Sequence, residues 1–283
     1  MQIEVKKKDI IEALKNVELK GKWASTGGLS SKSLGNYIHI EYQPERDLTE
    51  DFGVLLESHL LLVNSDESTT VIKSIPFEII TCSRDNSFVL EIDTFKKYLS
   101  KMNEDITLTV GDTVVMQSDG KTATMPIVVH HPFEGRVNRF IERWSPKTHP
   151  HRRPLNFDSD LEEVLKLGVI DVRCGVQVTG EEFHNAIDGC EILNNGIYKL
   201  DFHESDELSN PKFIISSSAT VSAYREEMVI SNSVGESSTV IFSGPLHKFF
   251  NKDEIINIFI GDNQPIIMVT ENSALIRAPR LGI

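Results

Sequence analysis

Several groups of residues in this chain have types and spacings that chemistry uses. His130-His131 and His149-Pro150-His151 present imidazoles in pairs, and imidazole is the commonest protein ligand for transition metals. No carboxylate or cysteine stands at a helpful spacing beside them, so we expect solvated loop histidines and no metal. Arg136, Arg139 and Arg143 recur at helical spacing, with Phe140 and Trp144 among them. Such a helix either touches nucleic acid or a partner, or lays its aromatic side on a sheet and leaves the arginines in water. Lys97 and Lys101 are four residues apart and share a helix face. Cys82, Cys174 and Cys190 are odd in number and show no CxxC spacing. They read as small buried hydrophobes in a reducing compartment, not as a zinc site or a disulfide framework.

The groups that catalysis requires are not assembled in the sequence. There is no GxxxxGK[ST] or GxGxxG, and Gly27-Gly28 reads as a turn, not a phosphate loop. No Ser/His/Asp or Cys/His set stands in a context that would position it. We therefore expect no enzyme activity and no cofactor. The chain has 283 residues, of which 40% are apolar and 25% charged, an ordinary globular composition. Its net charge of −13 argues against a surface coated with DNA-binding charge, but it permits cations concentrated on one face. No run approaches the roughly 18 apolar residues needed to cross a bilayer. MQIEVKKKDII also lacks the apolar core of a secretory signal. The expectation is a soluble, intracellular protein with no membrane partner.

The elements that would position these residues fall into two similar halves. MQIEVK leads into KKDIIEALKNV, where Ile10, Ile11, Leu14 and Val17 share one face at helical spacing. VIDVRCGVQV leads into TGEEFHNAIDGCEIL, whose apolar face is Phe183, Ala186, Ile187 and Cys190. There Thr179 has the place of an N-cap, and Glu182 stands three residues on, the capping-box spacing. A second helix comes late in each half. One is IDTFKKYLSKM with Asp93 as cap; the other is SGPLHKFFNKD with Ser243 as cap and Pro245 near its first turn. Strand-rich tails follow both, and YIHIEY, HLLLV, KFIISSS and STVIF supply strands between the helices. The fold class is α+β, in two tandem domains over residues 1–133 and 168–283. Between them, 134–167 is an interdomain connector whose stretch EGRVNRFIERWSPKTHPHRRP is locally basic and rich in Pro and His.

On these stretches the chain resembles the proliferating cell nuclear antigen (PCNA) family of sliding clamps. The resemblance is carried by GEEF at the first helix of the second half, by SGPLHKFFNKDEIINIFIGDNQPIIMV and by the closing ALIRAPRL. IIEALKNV and EIDTFKKYLSKMNEDITLTV match more loosely; residues 20–85 match weakly and 134–167 do not align. The resemblance implies DNA-clamp domains with two helices facing inward and antiparallel sheets outward. It also implies a ring of three identical chains that encircles double-stranded DNA without reading its sequence. Such a clamp tethers a DNA polymerase and receives its loader through short hydrophobic peptides. Two related readings stay open, a viral or phage-type processivity factor and a checkpoint-like subunit of a mixed ring.

The family's basic inner positions fall here on Lys7, Lys8 and Lys15 of the first helix, Lys97 and Lys101 of the second, and Lys248 and Lys252 of the last, with His247 beside them. Loose contact with phosphates is the chemistry such cations supply. One departure stands out. The first helix of the second half carries Glu181, Glu182, Asp188 and Glu191, and Asp188 stands about where the family has a basic residue. The family's pocket for partner peptides corresponds here to Pro265, Ile276, Ala278 and Pro279, with the connector beginning near Val128.

Overall fold

A computed structural model describes residues 1–19, 35–43, 46–48, 54–56, 58–81, 87–144, 170–193, 196–205, 210–219, 221–244 and 246–280. The chain divides into two compact units, Met1–Pro150 and His151–Ile283. The first contains β1 (Gln2–Lys6), α1 (Lys7–Val17), β2 (Tyr37–Gln43), the short hairpin β3 (Arg46–Leu48) and β4 (Val54–Leu56), β5 (His59–Ser65), β6 (Thr69–Pro76), β7 (Glu78–Thr81) and β8 (Ser87–Glu91). It continues with α2 (Ile92–Leu99), β9 (Asp105–Val110), β10 (Thr113–Ser118), β11 (Lys121–Pro126) and α3 (Glu134–Trp144). The second unit contains β12 (Cys174–Thr179), α4 (Gly180–Glu191), β13 (Ile197–His203), β14 (Lys212–Ser218), β15 (Ala223–Met228), β16 (Asn232–Gly235) and β17 (Ser238–Ser243). A 3-10 turn, Leu246–Phe249, precedes β18 (Ile255–Ile260), β19 (Ile266–Val269) and β20 (Ser273–Arg277).

The two units repeat one topology. The first has strand orders β11-β10-β9-β1-β7 and β6-β5-β2-β8, and the second has β20-β19-β18-β12-β16 and β15-β14-β13-β17. Strand for strand these are the same pair of antiparallel sheets, so the similarity of the two halves in sequence reflects a repeated fold. The match extends to single hydrogen bonds. The Lys7 N–H donates to the Glu104 carbonyl, and the Gly180 N–H donates to the Glu254 carbonyl, both at 2.7 Å. Past the last strand of the first unit, the Val128 N–H donates to Val89 on β8; past the last strand of the second, the Arg280 N–H donates to Ile241 on β17.

Each first helix forms for the reason its periodicity gives. Ile10, Ala13, Leu14 and Val17 of α1, and Phe183, Ala186, Ile187 and Cys190 of α4, are buried at matching positions. Ile11 is only half-buried, at the edge of the apolar stripe. The Thr179 side chain accepts the Glu182 N–H at 3.2 Å, as an N-cap does. The reciprocal half of the capping box is not made: Glu182 Oε1 instead accepts the Val229 N–H at 2.9 Å and ties the helix to the end of β15. Asp93 is not a cap. The helix α2 begins after Glu91 without a side-chain cap bond, and Asp93 sits in its first turn, where a negative charge suits the helix dipole. The late helix expected at SGPLHKFFNKD reduces to the 3-10 turn. The chain enters it from Gly244, at φ +99°, a conformation no right-handed helix contains, and leaves it where Asn251 hydrogen-bonds Glu254. Ser243 caps nothing; its Oγ accepts from Arg277 at 3.1 Å. Pro245 lies outside the described residues.

The run HLLLV explains the largest departure from the repeat. All seven residues of β5 are buried, whereas its counterpart β14 exposes both ends and half-buries Ser216. A strand buried along both faces needs cover on both. Helices α1 and α3 both pack on β5 and β6, which supplies that cover. Helix α3 contributes Val137, Phe140 and Ile141, all buried, and leaves Arg136 and Arg139 exposed. So the aromatic side does lie on the sheet; the side chains of Arg143 and Trp144 lie outside the described residues. His131 is not a solvated loop histidine. It is buried, donates to the Tyr37 carbonyl at 3.3 Å and accepts the Phe133 N–H at Nδ1, 3.0 Å away. His130 is exposed and pairs with Glu134 at 3.0 Å. His149, His151, Cys82 and Gly27-Gly28 lie outside the described residues. Cys174 and Cys190 are buried and free, and burial pushes both thiols up to about 12. No described helix is long and apolar enough to cross a membrane.

Candidate nucleic-acid interface and partner surface

On the first unit the helices present a compact set of cations. Lys8, Glu12 and Lys15 are the exposed residues of α1, spaced so that they share one side. Helix α2 packs against α1 and exposes Lys96, Lys97 and Tyr98, with Lys101 one turn further on. Lys96 was not among the expected residues, although its place beside Lys97 on a helix is legible; it pairs with Glu18 at 2.6 Å. Lys7 differs from the others. It is half-buried, and its ammonium donates to the Met102 carbonyl at 2.7 Å and reaches the Ser100 carbonyl at 3.5 Å. It therefore neutralises the open carbonyls at the end of α2, a favourable place for a cation.

The second unit is built on the same frame with other charges. Helix α4 exposes Glu181, Asn185 and Asp188. Lys248 and Lys252 are exposed at and just after the 3-10 turn. His247, next to Lys248, is buried, its Nε2 3.5 Å from Asp188 Oδ1 and its ring edge-on to His184 with centroids 4.8 Å apart. His184 Nε2 in turn donates to the Phe250 carbonyl at 2.9 Å. Burial, then the neighbouring His184, holds His247 down at about 4, so it is neutral near pH 7 and adds no cation to this face. The tight seat of α4 also explains its opening glycine. A Cβ on Gly180 would lie 2.1 Å from the Asn251 carbonyl oxygen, so no larger residue fits.

The candidate peptide-binding residues of the second unit meet at one end of the β19–β20 hairpin. The last paired residues are Ile266 and Arg277, so Pro265 and Ala278 stand one step beyond, level with each other. The strand stops at Arg277, and Ala278 lies past it. The reason is that Pro279 has no N–H to continue a ladder, while Arg277 and Arg280 are drawn to Ser243 and Ile241 of β17. Ala278 is exposed, and Pro265, Ile276 and Pro279 are half-buried. In register, Ile276 is opposite Ile267, and Ile267 is opposite Phe259. The equivalent row of the first unit is Thr109, Val115 and Thr124. This row thus carries one apolar residue in the first unit and three in the second. Phe259 and Ile267, both buried behind Ile276, were not expected beside this site, yet IINIFI and IIMV are almost wholly apolar runs, the pattern of strands apolar on both faces. Val128, in the first unit, is half-buried where the connector leaves β8, and Val129 beside it is exposed.

No protein-family model matches this sequence, and no curated protein does. Solved structures do resemble the fold. PCNA of A. fulgidus, solved with the C-terminal region of FEN-1, superposes with a TM-score of 0.64 at 13% identity, covering 100% of this chain and 99% of that one. A chain of the PCNA2–PCNA3 complex from Sulfolobus tokodaii gives 0.64 at 13% identity, with 99% of each chain covered. The beta clamp of H. pylori gives 0.62 at 16% identity, and this chain spans 64% of its length. The chain has the fold of the sliding clamps, at the length of the PCNA type.

Proposed function

We propose that this protein is a DNA sliding clamp that encircles duplex DNA and confers processivity on a DNA polymerase, with no catalytic activity of its own. The observation that carries the reading is the exposed lysine set on α1 and α2 of a twice-repeated clamp fold. In this reading Lys8, Lys15, Lys97 and Lys101, with Lys248 and Lys252 of the second unit, face the phosphates; Lys7 adds its charge while anchored to α2. Contacts from flexible ammonium groups to a regular phosphate lattice are weak and sequence-independent, which permits sliding. The polymerase and the clamp loader dock by short hydrophobic peptides at Val128, Pro265, Ile276, Ala278 and Pro279. The domains are 1–133 and 168–283, joined by 134–167.

The ring is three copies of this chain, closed through the strand edges of β11 and β15. Both are outermost strands of their sheets, and an open edge invites pairing. Exposed large hydrophobic residues gather around these edges. Val221 and Val229 flank β15, and Ile192 ends the helix that packs on it. Val129 follows β11, and Tyr98 lies on α2, which packs against it. Closed rotational symmetry pairs such edges without open-ended growth. Sedimentation at micromolar concentration is expected to give a particle of three chains, and the same particle is expected to lengthen the products of its polymerase on primed circular DNA. A monomer at every concentration would overturn the ring, and a trimer appearing only with a second, different chain would favour the mixed-ring reading.

A further inference from the structure

We propose that DNA phosphates are held by the first unit's helices, and that helix α4 of the second unit is a gap in the cationic wall; this rests on the sliding-clamp reading above. The inference comes from comparing equivalent positions of the repeat. The pair of bonds from Lys7 to Glu104 and from Gly180 to Glu254 places the two helices in one register. Burial agrees with it. Ile10, Ala13, Leu14 and Val17 coincide with Phe183, Ala186, Ile187 and Cys190, and the exposed residues coincide as well. In that register Lys8 is replaced by Glu181, Glu12 by Asn185 and Lys15 by Asp188. The exposed face of α1 thus bears two cations and one anion, and the same face of α4 bears two anions and no cation. The side chains that set the helix in place are kept apolar, while the two lysines that would meet phosphate are reversed in sign.

The remaining cations of the second unit do not restore the balance. Lys248 and Lys252 share a neighbourhood with Asp188, since all three act on the buried His247, the lysines opposing its protonation and the aspartate favouring it. His184 and His247 contribute hydrogen bonds and packing there, and the neutral His247 adds no charge. In the first unit the exposed Lys97 and Lys101 join Lys8 and Lys15, four lysines against Glu12 on α1 and the Glu104 carboxylate, which accepts the Lys8 N–H at 3.3 Å. A clamp built this way holds the duplex at alternate units around the ring and leaves the phosphates opposite α4 to solvent and counter-ions.

The test uses the full chain and a labelled mixed-sequence duplex oligonucleotide, with binding followed by anisotropy from low to physiological salt. K8E/K15E is expected to weaken binding at low salt by about tenfold or more. It should also flatten the log–log salt dependence by roughly 0.9 for each phosphate no longer neutralised. The converse change, E181K/D188K, is expected to tighten binding at least about threefold and to steepen that dependence. K248E/K252E is expected to cost less than K8E/K15E. An unchanged affinity in E181K/D188K, or a loss in K248E/K252E as large as that in K8E/K15E, would overturn the asymmetry while leaving the clamp reading in place. Equal binding by wild type and K8E/K15E at low salt would likewise overturn the proposal, whereas wild-type protein that binds no duplex at low salt would overturn the clamp reading itself. Circular dichroism of each variant distinguishes weakened DNA binding from unfolding.

Discussion

Two buried histidines illustrate how a residue's surroundings, not its type, set its role. His131 and His247 are both held down at about 4, chiefly by burial. For His131 the geometry explains why protonation is resisted. Its Nδ1 already accepts the Phe133 N–H, so a proton there would face a donor with no acceptor between them. The sign of the pH effect follows. The unfolded chain has an ordinary histidine near 6.5, so it takes up protons first as pH falls. The stability these residues contribute is fully present above about 6.5 and is lost progressively as pH falls toward about 4. Each amounts to something on the order of 3 kcal/mol. Urea unfolding between pH 7 and pH 4 should therefore show a steep loss of stability that H131Q/H247Q flattens. An equal slope in wild type and variant would assign the acid sensitivity to other groups.

At the scale of elements, α3 is the departure that changes most. Its apolar stripe of Val137, Phe140 and Ile141 covers β5, buried throughout, whereas the equivalent β14 exposes Lys212 and Ser218 and half-buries Ser216. The entry to α3 is fastened by His131, by the guanidinium of Arg136 over the Phe133 ring at 5.1 Å and by the bond of that guanidinium to the Asp66 carbonyl. Phe140→Ala should destabilise the first unit by about 3 kcal/mol, the usual cost of emptying a buried aromatic site. Calorimetry would check it; a change below about 0.5 kcal/mol would mean that α3 is a loosely held appendage. The periodicity of α1 and α4 makes those helices legible, because each has one buried stripe of ordinary spacing. The unbroken run HLLLV signals burial on both faces, but nothing in it says that the covering helix comes from the connector, about 70 residues on. The late turn of the second unit departs from the expected helix because Leu246, Phe249 and Phe250 have helical spacing whether or not the helix continues. What stops it is a glycine with positive φ and a side-chain bond to Glu254, features set by tertiary geometry. At the candidate sites, the lysines are visible by spacing on helices. Phe259 and Ile267 are not, since a row across a sheet forms only when strands distant in sequence are brought into register.

At the scale of the whole molecule, a chain carrying a net charge of −13 can act on DNA only if its cations are concentrated, and its other dealings must rest on apolar surface. The β19–β20 hairpin offers such a surface. Pro265 and Ala278 stand level at its open end, Ile276 and Pro279 are half-buried beside them, and Ile267 and Phe259 lie buried behind Ile276 as the apolar floor of the step. Apolar side chains left partly exposed in this way are costly unless a partner covers them. In the proposed function an extended peptide with aliphatic and aromatic anchors is the partner, its side chains filling the step while its backbone remains solvated at the rim. A clamp that serves a polymerase and a loader in turn must release each, so affinities near micromolar, about −8 kcal/mol, are expected. Ala278→Asp places a carboxylate on that surface without touching a buried position. It should weaken a labelled polymerase tail peptide by at least about tenfold, since a charge desolvated against apolar groups forfeits more than about 1.4 kcal/mol. The sedimentation of the variant should remain that of wild type. Equal peptide binding by the variant would move the partner site away from the hairpin, and the exposed face of α3 would be the next surface to test.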